Sequence, residues 1–205
     1  MDIEVKNSIK PVDYIESMKV LEKRVTDVFA GKKKEFLWIL EHNLVYTAGT
    51  SSKETDLINK KLKITQTSRG GRYTLHSPGQ KVIYFVLDLN KRKKDIRELI
   101  KKIEKCIIEI LKEYKIKAYS DNKNIGVWVG RENNSKKIAA IGIRVKKWIA
   151  YHGFSLNVDN NLSYYNGIIP CGIKDKGITN LRKLGIKSYG DIEKVIIKNF
   201  LNIFY

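Results

Sequence analysis

Cysteine is scarce in this chain: its 205 residues contain two, Cys106 and Cys171. Two thiols cannot make the disulfide framework of a small secreted scaffold, and they lack the Cys-x-x-Cys spacing of a structural metal site. Both points suit a reducing, cytoplasmic setting. Histidine is scarce too. His42, His76 and His152 fall in strand-like, glycine-containing segments, with no i,i+4 pair and no acidic cluster, so no bound metal is expected. No apolar run approaches the roughly 20 residues needed to cross a bilayer, so no membrane partner is expected. The start, Met1-Asp2-Ile3-Glu4-Val5-Lys6, lacks the basic-then-apolar order of a secretory signal. No linker or internal repeat divides the chain, and its length suits one sizeable core. A single domain over residues 1–205 is expected.

Acidic residues are few: 22 Asp and Glu against 40 Lys and Arg, a net charge of +18. Such an excess fits an acidic partner. Most of it is lysine, in a chain also rich in isoleucine and asparagine, a combination that an AT-rich genome produces by itself. The densest runs, Lys32-Lys33-Lys34 and Lys91-Arg92-Lys93-Lys94, read as solvated surface. With no zinc-finger spacing, no aromatic RNA-binding motif and little arginine for reading base edges, no nucleic-acid partner is expected.

What is present begins with periodicity. After Pro11, apolar residues at Val12, Ile15, Met18, Leu21, Val25, Val28 and Phe29 predict a helix ending near Gly31. Ile96, Leu99, Ile100, Ile103, Ile107, Ile110, Leu111 and Tyr114 predict a second over 94–114. Cys106 sits beside that stripe and reads as a buried structural thiol. A third helix is expected over Asp191 to Phe204. Apolar, β-branched runs at 36–40, 82–89, 125–129, 138–145 and 148–158 read as strands, with Asn133-Asn134-Ser135 as a turn. Together they predict an α+β chain: a mixed sheet flanked by helices.

Four constellations carry possible chemistry. In Ile169-Pro170-Cys171-Gly172-Ile173, proline stiffens one flank of the thiol and glycine frees the other, so Cys171 is a candidate nucleophile on a constrained turn. In Arg69-Gly70-Gly71-Arg72-Tyr73-Thr74-Leu75-His76-Ser77-Pro78-Gly79-Gln80, paired glycines let backbone approach a ligand beside a fixed positive charge. A tight hairpin and an anion or carbonyl cradle both fit. Lys137 stands at the mouth of an apolar strand followed by small residues. Solvated surface is the ordinary reading, but an ammonium beside a thiol favours the thiolate, and a partly buried lysine can shuttle a proton. The fourth is Tyr151-His152-Gly153-Phe154-Ser155-Leu156-Asn157-Val158.

In this order and at these intervals, RGGRYTLHSPGQ, KIAAIGIRV, YHGFSLNV and IIPCGI resemble the lipoyl(octanoyl) transferases, as does Glu41-His42-Asn43-Leu44-Val45-Tyr46-Thr47-Ala48-Gly49. The likeness covers roughly residues 36 to 184. It implies the mixed α/β catalytic domain of biotin and lipoate protein ligases. It also implies transfer of an octanoyl or lipoyl group from acyl carrier protein to a lysine of lipoyl domains, those of 2-oxoacid dehydrogenase complexes and of the glycine cleavage H protein. On this reading Cys171 carries the acyl group as a thioester and Lys137 is its partner. Arg69, Gly70, Gly71, Arg72, Tyr73, Thr74, Leu75 and His76, with Ala140, Ile141, Gly142, Gly153, Phe154 and Ser155, line the substrate site, and no cofactor is implied. Where the family usually has Tyr-His-Gly-Pro-Gly-Gln, this chain has Leu75-His76-Ser77-Pro78-Gly79-Gln80. The alternative is an ATP-dependent lipoate or biotin ligase of the same fold, which would not need the thiol. Whether Lys137 meets Cys171, 34 positions away in the chain, is a question of folding.

Overall fold

In the computed structural model, residues 2–121, 123–131, 134–172 and 176–205 are described, Cys171 by its backbone alone. The elements run β1 (Ile3–Asn7), α1 (Tyr14–Phe29), β2 (Glu35–Leu40), β3 (Val45–Ala48), β4 (Ile64–Gln66), β5 (Tyr73–His76) and β6 (Gln80–Asp88). They continue through α2 (Ile96–Glu113), β7 (Ala118–Ser120), β8 (Val127–Val129), β9 (Lys136–Lys146), β10 (Ile149–Asn157), β11 (Gly177–Ile178) and α3 (Ile192–Phe204).

Strand alternation builds the main sheet. Its order is β1-β2-β6-β10-β9-β8-β7, with β11 on β9; β1–β2 and β9–β11 are parallel and the other pairs antiparallel. In β2 and β6, Leu37, Ile39, Ile83, Phe85 and Leu87 turn to one face. There they pack with Leu99, Ile103 and Ile107 of α2 and Ile196 and Phe200 of α3. The intervening Phe36, Trp38, Leu40, Val82, Tyr84 and Val86 turn to the other, against Leu21, Val25 and Val28 of α1. Both faces are thus covered, which is why these strands read as continuous apolar runs. A small sheet, β4-β3-β5, lies apart with its own cluster of Ala48, Tyr73, Leu75, Tyr165 and Ile168.

Asp13 and Asp95 cap α1 and α2 by accepting the N–H of Glu16 and Glu98, each at 3.0 Å. The mixed α/β architecture expected from the sequence is the one found. The buried face of α1 differs from its apolar spacing. Ile15 and Phe29 are half exposed, whereas Ser17 and Arg24 are buried. Ser17 donates to the Tyr14 carbonyl at 2.7 Å, and Arg24 lies over the Phe36 ring and pairs with Glu4 at 2.7 Å. Satisfied polar groups thus take positions that a count of apolar residues leaves blank. The expected turn at Asn133 lies outside the described residues.

Candidate active site

The glycine-rich loop ties the two sheets together. Gly70 donates its N–H to the Ile143 carbonyl of β9 at 3.1 Å. The Arg69 guanidinium is buried against β3, with Nη2 on the Thr47 carbonyl (3.1 Å) and Oγ1 (2.7 Å) and Nη1 on the Gly70 carbonyl (3.1 Å). Arg69 therefore braces the loop. From there β5 alternates: Thr74 and His76 face a cavity, while Tyr73 and Leu75 enter the small sheet's cluster. The leucine in the family's tyrosine position consequently points away from the cavity.

That cavity, of about 450 Å³, is bounded by the Arg69–Arg72 loop, β9, β10, Tyr14 of α1, Ile100 of α2 and the 123–125 segment. At its centre Gly142 and Gly153 sit opposite each other in register. A side chain at Gly153 would be driven into the Ile83 carbonyl, and its φ of 157° is open only to glycine. A Cβ at Gly142 would press on Arg69 Cδ at 3.2 Å. Gly153 thus lets β10 pack against β6, and Gly142 leaves room for the Arg69 loop that bounds the cavity.

One wall is a cluster of neutral rings. His42 donates from Nδ1 to the Val12 carbonyl (2.7 Å) and accepts the Tyr84 hydroxyl at Nε2 (2.9 Å). His76 stacks on Tyr14 at 6.1 Å and meets Gln80 Oε1 through Nδ1 at 2.6 Å; Gln80 in turn donates to Asn157 Oδ1 at 2.8 Å. His152, at φ 67°, stacks on Tyr151. Burial pushes His76 down to about 3, helped by His42. Burial does the same to His152, pushed to about 3 with help from Arg69 and Arg144. A carboxylate oxygen accepting at His76 Nδ1 would have favoured the imidazolium; an amide oxygen does so less. Three histidines thus converge as neutral hydrogen-bonding rings, and no group of three potential metal ligands occurs among the described residues.

The opposite corner is cationic. Lys137, near the start of β9, is 3% exposed. Its Nζ donates to the Ile125 carbonyl at 2.9 Å and lies 4.8 Å from the centre of the Trp128 ring. Gly126 makes the room: a Cβ there would sit 3.1 Å from Lys137 Cε and 2.8 Å from the Ala139 carbonyl. Among the described residues no carboxylate pairs with this ammonium.

Residues 13–201 match the family described as the lipoyl protein ligase A/B catalytic domain. The chain belongs to that family. It is similar to the octanoyltransferase of Ehrlichia chaffeensis, 46% identical over 205 residues that cover 98% of this chain and 96% of the relative. To the octanoyltransferase of a Wolbachia from Culex pipiens it is 43% identical over 194 residues, covering 94% and 95%. Among solved structures, one of a bi-partite lipoate protein ligase and its E2 lipoyl domain from Thermoplasma acidophilum superimposes with a TM-score of 0.76 at 14% identity. It covers 99% of this chain and 84% of that one, a likeness of fold. The chain is an acyltransferase, of the octanoyl- and lipoyl-transferring kind that serves protein lipoylation.

Within this lipoyl-transferring fold, the topology brings the cysteine turn to Lys137. Residues Pro170–Gly172 form a 3-10 turn. On the upstream side Ile169 donates to the Asp56 carbonyl at 2.7 Å, and on the downstream side β11 pairs Ile178 with Lys137. Pro170 and Lys137 line one small crevice with Thr74, Ala140 and Ser155. Arg72 lines the main cavity and pairs with Asp56 at 3.1 Å, and its guanidinium lies against the Gly172 backbone. The Cys171 side chain itself lies outside the described residues. The Gly70 and Gly172 backbone amides beside this crevice and cavity are both engaged, by the Ile143 and Ile169 carbonyls at 3.1 and 3.0 Å. Tyr14, Tyr84, Ile100 and Ile125 line the cavity without a motif to announce them. They reach it from α1, β6, α2 and a loop, so only tertiary packing assembles them.

Proposed function

We propose that the chain moves an octanoyl group from acyl carrier protein to a lysine of a lipoyl domain, through a thioester on Cys171. The observation that carries this reading is the placement of Lys137. It is buried in the wall of an apolar-sided cavity and shares a crevice with Pro170, the residue before the cysteine. The Cys171 thiolate attacks the carbonyl carbon of the donor thioester, and the bond to the carrier sulfur breaks. The lipoyl-domain amine then attacks the enzyme thioester, the bond to Cys171 breaks, and an amide remains. One thioester replaces another in the first step, so no ATP is consumed; the amide makes the second step downhill.

Lys137 serves both steps. An ammonium has three donors, and Ile125 takes one. The others favour the thiolate and the oxyanion that develops at the carbonyl, a role that the engaged Gly70 and Gly172 amides do not fill. The departing carrier thiolate takes the ammonium proton, and the neutral Lys137 that remains accepts the proton lost by the attacking amine. The octanoyl tail lies along the cavity, where burial stabilises it by roughly 0.8 kcal/mol per methylene before ordering costs.

Mass spectrometry tests the reading. Incubation with octanoyl-acyl carrier protein, without ATP, should add an octanoyl mass at Cys171, and Cys171→Ala should lose both adduct and transfer. Full activity in Cys171→Ala overturns the covalent route, and an absolute need for ATP assigns the chain to the ligases instead.

A further inference from the structure

The nucleophile turn has an outer side. There a groove of about 620 Å³ runs between the 58–62 segment, the 3-10 turn Leu162–Gly167 and residues 176–183. Its walls mix apolar residues, among them Ile58, Leu162, Ile169, Pro170 and Ile178, with the polar Ser163, Tyr165 and Asn166. Ile58 is 61% exposed, yet its backbone is fixed. Its N–H and that of Asn59 both donate to the Gly167 carbonyl at 3.0 Å, and Leu57 bridges to Ile168. Ile58 is thus a large apolar side chain held out to solvent at the groove on a pinned backbone.

The rim is cationic. Lys176 and Lys183 line the groove; Lys61 and Lys63 stand outside its lining, on either side of Leu62, which packs on Gly167. The carboxylates at hand are already engaged: Glu54 by Lys60, Asp56 by Arg72, Asp121 by Lys176 and Asp159 by Arg182. Among the described residues Lys61, Lys63 and Lys183 have no such partner. Pro170 and Ile178 line this groove and also the crevice that holds Lys137, so the two spaces share the wall that bears the cysteine.

We propose that this groove is the docking surface for the acyl donor: an acidic carrier domain rests on the lysine rim and its thioester arm lies along the apolar floor to Pro170. This rests on the transfer reading above. The choice of donor over acceptor follows from shape. A thioester at the end of a long, thin arm needs a channel leading to the turn, and an anionic linkage at the base of the arm finds Lys183. A lysine side chain on the acceptor's surface needs only a point of access. Charge complementarity of this kind acts on encounter more than on the chemical step.

The test compares donors in the full-length enzyme. Ile58→Asp and the double variant Lys61→Glu/Lys183→Glu, checked for an unchanged melting curve, should raise KM for octanoyl-acyl carrier protein about tenfold. The kcat, the KM for octanoyl-pantetheine as a small thioester donor and the KM for the lipoyl domain should stay near wild type. In parallel, calorimetric titration of Cys171→Ala with octanoyl-acyl carrier protein should show binding that Ile58→Asp removes. Equal losses with both donors, or a shift in the acceptor's KM alone, overturn the assignment. Binding that Ile58→Asp removes, in an enzyme that transfers nothing, upholds the docking surface and rejects the transfer reading; transfer indifferent to both variants does the reverse.

Discussion

Two cations bracket the cysteine turn, and they are held in opposite ways. Arg72 is about a third exposed and pairs with the buried Asp56 carboxylate, its guanidinium laid against Gly172. Lys137 is buried, donates to a carbonyl and lies by an indole; among the described residues the Glu104 carboxylate is near enough to feel its charge but forms no ion pair with it. A guanidinium neutralised by a carboxylate fixes position, because its charge is already answered. An ammonium held by dipoles and a π-face keeps its field for whatever enters the crevice. The turn is thus braced from one side and electrically poised from the other.

Lys137→Met should break this contrast most visibly. We expect kcat to fall on the order of a hundredfold or more, and the pH profile for alkylation of Cys171 to move to higher pH, as the proposed pairing of Lys137 with the thiolate requires. Arg72→Met should act on folding instead. It leaves the Asp56 carboxylate buried without its guanidinium, and should cost about 2 kcal/mol in a denaturant titration while the alkylation profile stays near wild type. If Arg72→Met moves that profile more than Lys137→Met does, the roles of the two cations are reversed.

This division was half legible in the residues. The apolar runs of β6 and β10 announced a mixed sheet flanked by helices, and the order of the glycine-rich, lysine and cysteine motifs announced one site. What was not legible depends on the third dimension. The strands β3, β4 and β5 have four residues or fewer, too short for alternation to declare itself. β1 reads Ile-Glu-Val-Lys-Asn, the mostly exposed pattern of an edge strand that carries charge to discourage pairing with other chains. Arg72 looked like part of a ligand cradle beside Arg69. Its pairing with Asp56 and its contact with Gly172 follow from the way the loop at 54–59 folds over the turn, which no local pattern encodes.

The ring wall opposite Lys137 extends the comparison to pH. His76 and His152 are each pushed to about 3 by burial, below an unfolded value near 6.5. Between those values the unfolded chain binds more protons, so protonation favours unfolding. The stability these rings contribute is complete above about pH 6.5 and is lost as pH falls toward 3. At pH 5.5 the loss is about 1.4 kcal/mol for each ring. Denaturation at pH 7.5 and 5.5 should show this decline, and His76→Gln should reduce it by roughly half. A flat response would mean that the rings titrate in the folded protein as they do in the unfolded chain, so that the wall takes up protons by pH 5.5 and the cavity then has cations on both sides.

The smallest expected effect sharpens the poised side alone. Trp128 carries two ammoniums over its ring, Lys137 at 4.8 Å and Lys176 at 4.7 Å, and Lys176 stands five residues beyond Cys171 and pairs with Asp121 at 3.0 Å. The indole therefore aligns the lysine of β9 with the segment that leaves the cysteine turn. Trp128→Phe keeps an apolar ring but offers a weaker face, worth about 0.5–1 kcal/mol for a single cation. Transfer should slow a few-fold, with the alkylation profile shifted slightly in the direction of Lys137→Met. Lys176→Met should leave that profile in place and lower the melting temperature by a few degrees at most, because its half-buried pair with Asp121 fixes a segment rather than a charge. A profile shift in Lys176→Met larger than in Trp128→Phe would place the electrostatic control on the turn's own segment and not on β9.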